Sequence, residues 1–279
     1  MSIQGIITSC AYLWGQKQDF CSSGILNDSN GEFEYMIIAD GHGSGEIITK
    51  LKSSDFPWEE ILIQTSKDIL SKTLINYLIY FNVLQNSKFD GTTISIVKIY
   101  SHFVHLLWIG DSKIQVYKNN HLYYSTPIHT CANDNEVNNN KKKDGWELKL
   151  INNKTISKIK GQQIIIDEHQ STPLTRCIGH NRSLNEEFDE KRIYIGTNDT
   201  FSIIAASDGF WDVAGTKEDR RFITDNLTTA RNLVKLAIKR WKQTWVFYPP
   251  LNENCKSKPY SSTFPATSYD DIAICLWHN

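Results

Sequence analysis

The sequence predicts an α+β chain built as an antiparallel β-sandwich with helices on the outside. Three observations carry this. Short segments rich in β-branched and aromatic residues follow one another across 92–124 with only turn-length gaps, as in an antiparallel meander. Two long stretches with broad apolar faces interrupt the strands. Strand–helix–strand alternation at the spacing of a parallel sheet is rare. At 279 residues the chain falls where one core can still serve the whole length, about 250–300 residues.

Residues 3–13 and 33–39 read as strands, the second running into Asp40-Gly41-His42-Gly43. A short helix is expected from about Ser44. A longer one follows Pro57, with Trp58, Ile61, Leu62, Ile69, Leu70, Leu74, Leu78 and Phe81 on its apolar face. The meander comprises Thr92–Tyr100, His102–Trp108, Lys113–Tyr117 and His121–Tyr124, with turns at Gly110-Asp111 and Asn119-Asn120. The polar stretch Cys131–Asp144, with its N-N-N-K-K-K run, reads as a surface insertion. Short strands are expected at Trp146–Ile151 and Gln162–Asp167, and a strongly apolar one at Phe201–Ser207. A second long helix covers about Leu227–Val246, with Ala230, Leu233, Ala237, Trp241 and Trp245 on one core-facing stripe. A loop, Pro249–Ser268, leads to a final strand at Ile272–Trp277.

The composition excludes some functions. Lys and Arg total 30 against 31 Asp and Glu, a net charge of -1, which supplies no field for nucleic acid or an anionic membrane. Lys141–Lys143 read as a solvated loop. The six cysteines (Cys10, Cys21, Cys131, Cys177, Cys255 and Cys275) form no C-x-x-C pair and no zinc-finger spacing. Without a basic leader or an apolar run of about 20 residues, the expectation is a cytoplasmic monomer with thiols kept reduced.

Four aspartates share a local context. Asp40 in I-I-A-D-G-H-G, Asp111 in L-W-I-G-D-S-K and Asp208 in I-A-A-S-D-G-F-W each stand beside glycine at an apolar strand's end. Asp270 opens the strand S-Y-D-D-I-A-I-C-L-W. A strand fixes where its terminal side chain points, and the neighbouring glycine lets the backbone turn and bring a carbonyl near a ligand. One Asp-Gly is more often a hairpin turn. Several converging carboxylates would repel one another unless protonated or neutralised by cations, and oxygen ligands favour Mg²⁺, Mn²⁺ or Ca²⁺ over softer ions.

The order of these blocks resembles that of the PPM, or type 2C, family of metal-dependent serine/threonine protein phosphatases. In sequence order they are D-G-H-G at Asp40–Gly43, G-T-T at Gly91–Thr93, G-D-S-K at Gly110–Lys113, T-R-C-I-G at Thr175–Gly179, A-S-D-G-F-W-D at Ala206–Asp212 and D-D-I-A-I from Asp270. The resemblance implies one four-layer α-β-β-α domain over 1–279 with two Mg²⁺ or Mn²⁺ ions, and a third at a weaker site. By position, Asp40 matches the bridging ligand and Gly41 a carbonyl ligand. Asp208 and Asp270 match ligands of the second ion, and Asp111 the aspartate of the third. His42 matches the histidine assigned as general acid. Asp19, in W-G-Q-K-Q-D-F, matches an N-terminal acidic position outside the ligand set.

The chain departs from the family at three places. Trp14 and Gln18 replace the arginine and glutamate of the usual R-x-x-x-E-D, leaving Lys17 as the nearby cation for substrate phosphate, though an ammonium lacks a guanidinium's fork. His180 stands where the family has aspartate after Gly179, and reads as a surface histidine. Asp271 stands where asparagine is usual, adding charge that either strengthens cation binding or is held by a neighbour. The implied function is hydrolysis of phosphoserine and phosphothreonine in proteins by a metal-activated water. Two alternatives stay open: a pseudophosphatase acting as a binding or regulatory module, and a hydrolase of small phosphorylated metabolites.

Overall fold

The computed structural model describes residues 5–14, 17–84, 90–130, 133, 136, 146–151, 154–159, 162–166, 174–180, 186–196, 198–214, 217–242, 244–247, 260–263 and 270–279. Two antiparallel sheets dominate. The first holds β1 (Ile6–Tyr12), β6 (Lys113–Lys118), β7 (His121–Ser125), β13 (Phe201–Ala206) and β16 (Ile272–His278), in the order β1-β16-β13-β6-β7. The second holds β2 (Asp19–Asp28), β3 (Gly31–His42), β4 (Gly91–Ile99), β5 (Phe103–Ile109) and β12 (Asp189–Tyr194), in the order β12-β5-β4-β3-β2. The two-residue β11 (Ile178–Gly179) pairs with Gly91 and Thr92, just beyond the part of β4 that β5 covers.

The period-2 alternation of strand side chains sorts the core into layers. Met36, Ile38, Val97, Leu106, Trp108, Val116, Ile203, Cys275 and Trp277 meet between the sheets. Their neighbours Ile37, Ala39, Ile94, Ile96 and Leu107 face outward onto α1 (Glu46–Leu51), α2 (Trp58–Leu62) and α3 (Lys67–Tyr80). On the other side, Ile204, Ala206, Ile274 and Leu276 pack on α4 (Asp208–Trp211), α5 (Lys217–Ile223) and α6 (Ala230–Trp241). Helices therefore cover both outer faces, as the α-β-β-α expectation requires. Because β4, β5, β13 and β16 are buried on both faces, they read as predominantly apolar runs rather than alternating ones. Truncating a fully buried side chain such as Leu74 would cost about 2–5 kcal/mol.

Several expectations need correction. The single helix after Pro57 is two: α2 stops at Leu62 and α3 restarts after an extended N-cap at Ser66. In the break, the Gln64 carbonyl accepts a hydrogen bond from Lys98 Nζ at 2.6 Å. The second long helix is shorter at both ends. Thr229 and Asn232 form a reciprocal capping box that sets its start. It ends at Trp241, and T-W-V-F becomes β14 (Thr244–Phe247), a β-rich run paired with β15 (Tyr260–Thr263) inside the expected loop. Trp241 is buried in the core; Trp245 belongs to the strand. The strands β8 (Trp146–Ile151) and β10 (Gln162–Ile166) flank an unforeseen β9 (Lys154–Ile159) in a separate three-stranded sheet. Nearly all of the expected insertion at 131–144, including Lys141–Lys143 and Cys131, lies outside the described residues, as does Cys255. Among the described residues no helix is long and apolar enough to cross a membrane.

Candidate metal centre

One end of the sandwich gathers the acidic residues. β3 continues through Asp40-Gly41-His42, with Asp40 opposite Asp19 of β2 on one side and Thr93 of β4 on the other. Like charges directly across a ladder are unfavourable, so the Asp19–Asp40 pairing is the first sign of a special site. Gly41 lets β3 come close: its N–H donates to the Gln18 carbonyl at 2.9 Å, and a Cβ there would sit 2.9 Å from both that oxygen and Ile48 Cβ.

Asp111 sits in the β5–β6 turn. Gly110 takes φ +99, and a Cβ on it would fall 2.4 Å from Thr93 Cβ, so the turn needs glycine twice over. His129 clamps the turn: Gly110 N–H donates to its Nδ1 at 3.1 Å, and the Gly110 carbonyl accepts from His129 N–H at 2.9 Å. His129 Nε2 meets Asp189 Oδ2 at 3.2 Å, and that hydrogen bond, ahead of the nearby Arg176 charge, holds the Asp189 carboxyl down to about 2. Arg176 binds Asp189 and, through Nε and Nη2, the buried Glu136 at 2.8 and 2.5 Å. The T-R of T-R-C-I-G is thus a buried brace behind the turn.

Asp208 opens α4 after Ser207, whose hydroxyl donates to Asp19 Oδ2 at 2.7 Å and accepts from Ala273 N–H at 3.0 Å. Asp19 is thereby tied to the β13–α4 junction. The single acceptor oxygens of Asp40, Asp111 and Asp208 all lie within 4.8 Å of one another. Burial comes first, and the charge of Asp208 second, in raising the carboxyls of Asp40 and Asp111, the latter to about 8. Asp19 is raised by burial against the opposing bond from Ser207. Asp270 opens onto solvent on one side, but protein crowds it on the others, and this desolvation with the Asp208 charge raises it to about 8. Asp270 thus belongs to the same electrostatic cleft without joining the tightest trio.

Three carboxylate oxygens at this spacing, with desolvation and the Asp208 charge opposing ionisation of Asp40 and Asp111 when no cation is bound, fit hard divalent cations such as Mg²⁺ or Mn²⁺. Asp40, Asp111 and Asp208 could hold them, with Asp270 at the rim.

Asp271, ambiguous in the sequence, is held by neighbours: it accepts from Trp14 N–H at 2.5 Å and Gln18 N–H at 2.6 Å, and does not face outward as a free ligand. Gln18 turns its amide to the Gly43 carbonyl at 2.8 Å. Lys17 is exposed at φ 56, and its carbonyl accepts from Lys52 Nζ. The half-buried Lys52 feels Asp19 and Asp271, and Lys113 feels Asp212 and Asp111. Sequence reasoning missed both lysines, and also Asp212, whose carboxyl desolvation and Asp208 push up to about 7. The segment G-D-S-K did contain Lys113, and A-S-D-G-F-W-D did contain Asp212; helical i, i+4 spacing from Asp208 was the available signal.

His180 is not a surface histidine. Its Nε2 lies 2.5 Å from His42 Nε2, with ring centroids 4.8 Å apart. Burial, followed by the proximity of His180, holds the His42 ring down to about 4.

No protein-family model and no curated protein matches the sequence. Solved structures do. A C. elegans sex determining protein superposes with a TM-score of 0.62 at 17% identity, covering 98% of this chain, which spans 64% of that protein's length. The serine-threonine phosphatase 2C of Toxoplasma gondii gives 0.57 at 15% identity, over 98% of this chain and 94% of that one. The Mycobacterium tuberculosis serine/threonine phosphatase PstP gives 0.55 at 13% identity, over 98% and 97%. At these identities the likeness is one of fold.

Proposed function

Starting from the fold this chain shares with serine/threonine phosphatases of the PPM and type 2C kind, we propose that it is a metal-dependent protein phosphatase acting on phosphoserine and phosphothreonine, with the whole chain as one catalytic domain. The observation that carries the reading is the meeting of Asp40, Asp111 and Asp208, remote in sequence, within 4.8 Å at one end of the sandwich. Bound there, paired divalent cations supply the charge that makes a water acidic enough to attack and that screens the phosphoryl oxygens.

The chain's own residues do the rest. Asp40, with the Gly41 carbonyl, presents ligands from a strand held on both sides by ladder bonds, so their positions do not have to be organised when substrate arrives. Asp208 and Asp270 supply a second set of oxygens, Asp111 the weaker third position, and Asp19 stiffens the group through Ser207. Lys113 and Lys52 interact with acidic residues of that cleft, and together with the exposed Lys17 they serve substrate phosphate in place of the missing arginine. A loose phosphoryl-transfer transition state places charge on the departing oxygen, which then needs a proton. We assign its delivery to the His42–His180 pair. At pH 7 a ring held near 4 is neutral, so His42 gains its proton only when the phosphate's own negative charge is beside it.

A phosphopeptide assay with Mn²⁺ tests the proposal. The wild-type protein is expected to release phosphate, and Asp208→Asn to lose at least ~100-fold in rate. Equal, negligible release by both proteins would leave only a binding module of the same fold.

A further inference from the structure

We propose that His42 Nε2, His180 Nε2 and Cys177 Sγ form a second metal site, separate from the carboxylates, for a borderline-soft divalent ion of the zinc type. Their ligand atoms lie within 4.8 Å of one another, and they form a donor set of two nitrogens and one sulfur beside an all-oxygen cluster. Hard cations leave such a set unfilled; zinc takes it.

The backbone is arranged to bring these three together. Gly91 of β4 pairs with His42 of β3 on one side and Gly179 of β11 on the other. Both imidazoles lie over the missing side chain: a Cβ on Gly91 would fall 2.4 Å from His42 Nε2 and 2.8 Å from His180 Cδ2. His180 itself occupies the left-handed region at φ 54, uncommon for a residue with a side chain. It is held there by its N–H donating to the Asp90 carbonyl at 2.6 Å, and by Gly179 at φ +114, where a Cβ would meet that same oxygen at 2.4 Å. Strained backbone concentrates at sites with a task. Here it turns one ring nitrogen onto another and sets both near a fully buried thiol.

The separation of the two Nε2 atoms, 2.5 Å, is that of a hydrogen bond in which one ring donates and the other accepts. A tetrahedral zinc ion, with Zn–N near 2.0–2.1 Å and Zn–S near 2.3 Å, places its ligand atoms roughly 3.3–3.6 Å apart. Side-chain rotation of about 1 Å therefore converts the pair into a chelate. The proton balance is simple. Each ring ligates as neutral imidazole with its hydrogen on Nδ1, the thiol ligates as thiolate, and one proton leaves to solvent for each ion bound. A water completes the fourth position. Ligation also removes the Nε2 position from which the proton would be delivered, so zinc would oppose the phosphatase reaction; that consequence rests on the proposed function, whereas the site does not.

The probe is Co²⁺, added to the full-length protein with Mg²⁺ in excess to fill the carboxylates. The wild-type protein is expected to show a thiolate-to-cobalt charge-transfer band in the near ultraviolet, displaced by one equivalent of Zn²⁺. Cys177→Ala should abolish the band. His180→Asp, at a half-buried position, should weaken Zn²⁺ binding at least ten-fold by calorimetry, with an unchanged circular dichroism spectrum showing that the variant is folded. Absence of the band in the wild-type protein overturns the proposal. So does a band that survives Cys177→Ala, or Zn²⁺ affinity unchanged in His180→Asp should the cysteine variant not fold. None of these readouts requires that the protein hydrolyse phosphate.

Discussion

Gly209→Ala offers a way to move the acidic cleft without touching any carboxylate. Gly209 follows Asp208 in α4, and its missing side chain is where the chain leading into β16 passes. A Cβ at this position would lie 1.9 Å from the Asp271 carbonyl oxygen, 3.0 Å from its carbon and 3.3 Å from Asp270 Cβ. Restoring ordinary contact requires the α4 start and the Asp270–Asp271 segment to part by about 1.5 Å. Neither partner yields freely. The Gly209 carbonyl accepts from Trp241 Nε1 at 2.7 Å, and Ile272 is already paired with Tyr12 in the sheet. Overpacking of this kind costs about 1–3 kcal/mol, which for a chain of this size lowers Tm by roughly 3–10 °C. More to the point, it separates Asp208 from Asp270 by a distance that costs metal and reaction geometry dearly, on the order of 100-fold in rate for 1 Å. Gly31→Ala is the control. That glycine lies in the β2–β3 turn at φ +113 with nothing within 4 Å of a Cβ, so the change adds backbone strain of about 1 kcal/mol and no displacement. Titration calorimetry with Mn²⁺ on both variants should show affinity at least ten-fold weaker in Gly209→Ala and unchanged in Gly31→Ala. Wild-type affinity and Tm in Gly209→Ala would refute the claim that this contact sets the cleft.

Two further outcomes follow from the electrostatics. Asp111 and Asp270 keep protons up to about pH 8 when folded but lose them near 3.8 when unfolded. Their contribution to the stability of the metal-free protein therefore falls as pH rises from about 4 to 8, opposed up to about pH 6.5 by the depressed His42 ring, which favours the folded state as pH rises. Thermal melts in a chelator should show Tm declining from about pH 6.5 to 8, less steeply in Asp111→Asn, with Mn²⁺ reversing the decline; a flat profile there would contradict the raised carboxyls. Arg176→Met leaves Glu136, whose side chain is 4% exposed, without its guanidinium. A stranded buried charge costs about 3–5 kcal/mol, so Tm should drop by on the order of 10 °C in a melt followed by circular dichroism, while a change under 2 °C would show that the brace carries no stability.

The strands most buried in the structure were the easiest to read in the sequence, because burial on both faces favours apolar residues at consecutive positions, as in I-S-I-V-K-I and F-S-I-I-A-A, where only Ser95, Lys98 and Ser202 interrupt them. The edges were not. β2 (D-F-C-S-S-G-I-L-N-D) carries serines and a glycine that lies under the Tyr35 ring, and β12 opens D-E-K-R; edge strands are made polar and charged so that they do not recruit other chains. Their pairing is decided by neighbours far along the chain. Asp40, Asp111 and Asp208 were legible for the same reason as the inner strands: each ends an apolar run beside a glycine. Lys52 and Lys113 were not, since nothing local distinguishes a lysine that bends toward carboxylates from one in water. His180 was misread because its significance lies in Gly91, the residue between two strands whose missing side chain admits both imidazoles.

The central claim is that side chains from β3, the β5–β6 turn and α4 jointly hold divalent cations. Crystals grown with Mn²⁺ and measured at the manganese absorption edge test it directly. The account predicts anomalous density touching both Asp40 and Asp208. Ordered carboxylates with no such density at saturating Mn²⁺ would contradict it.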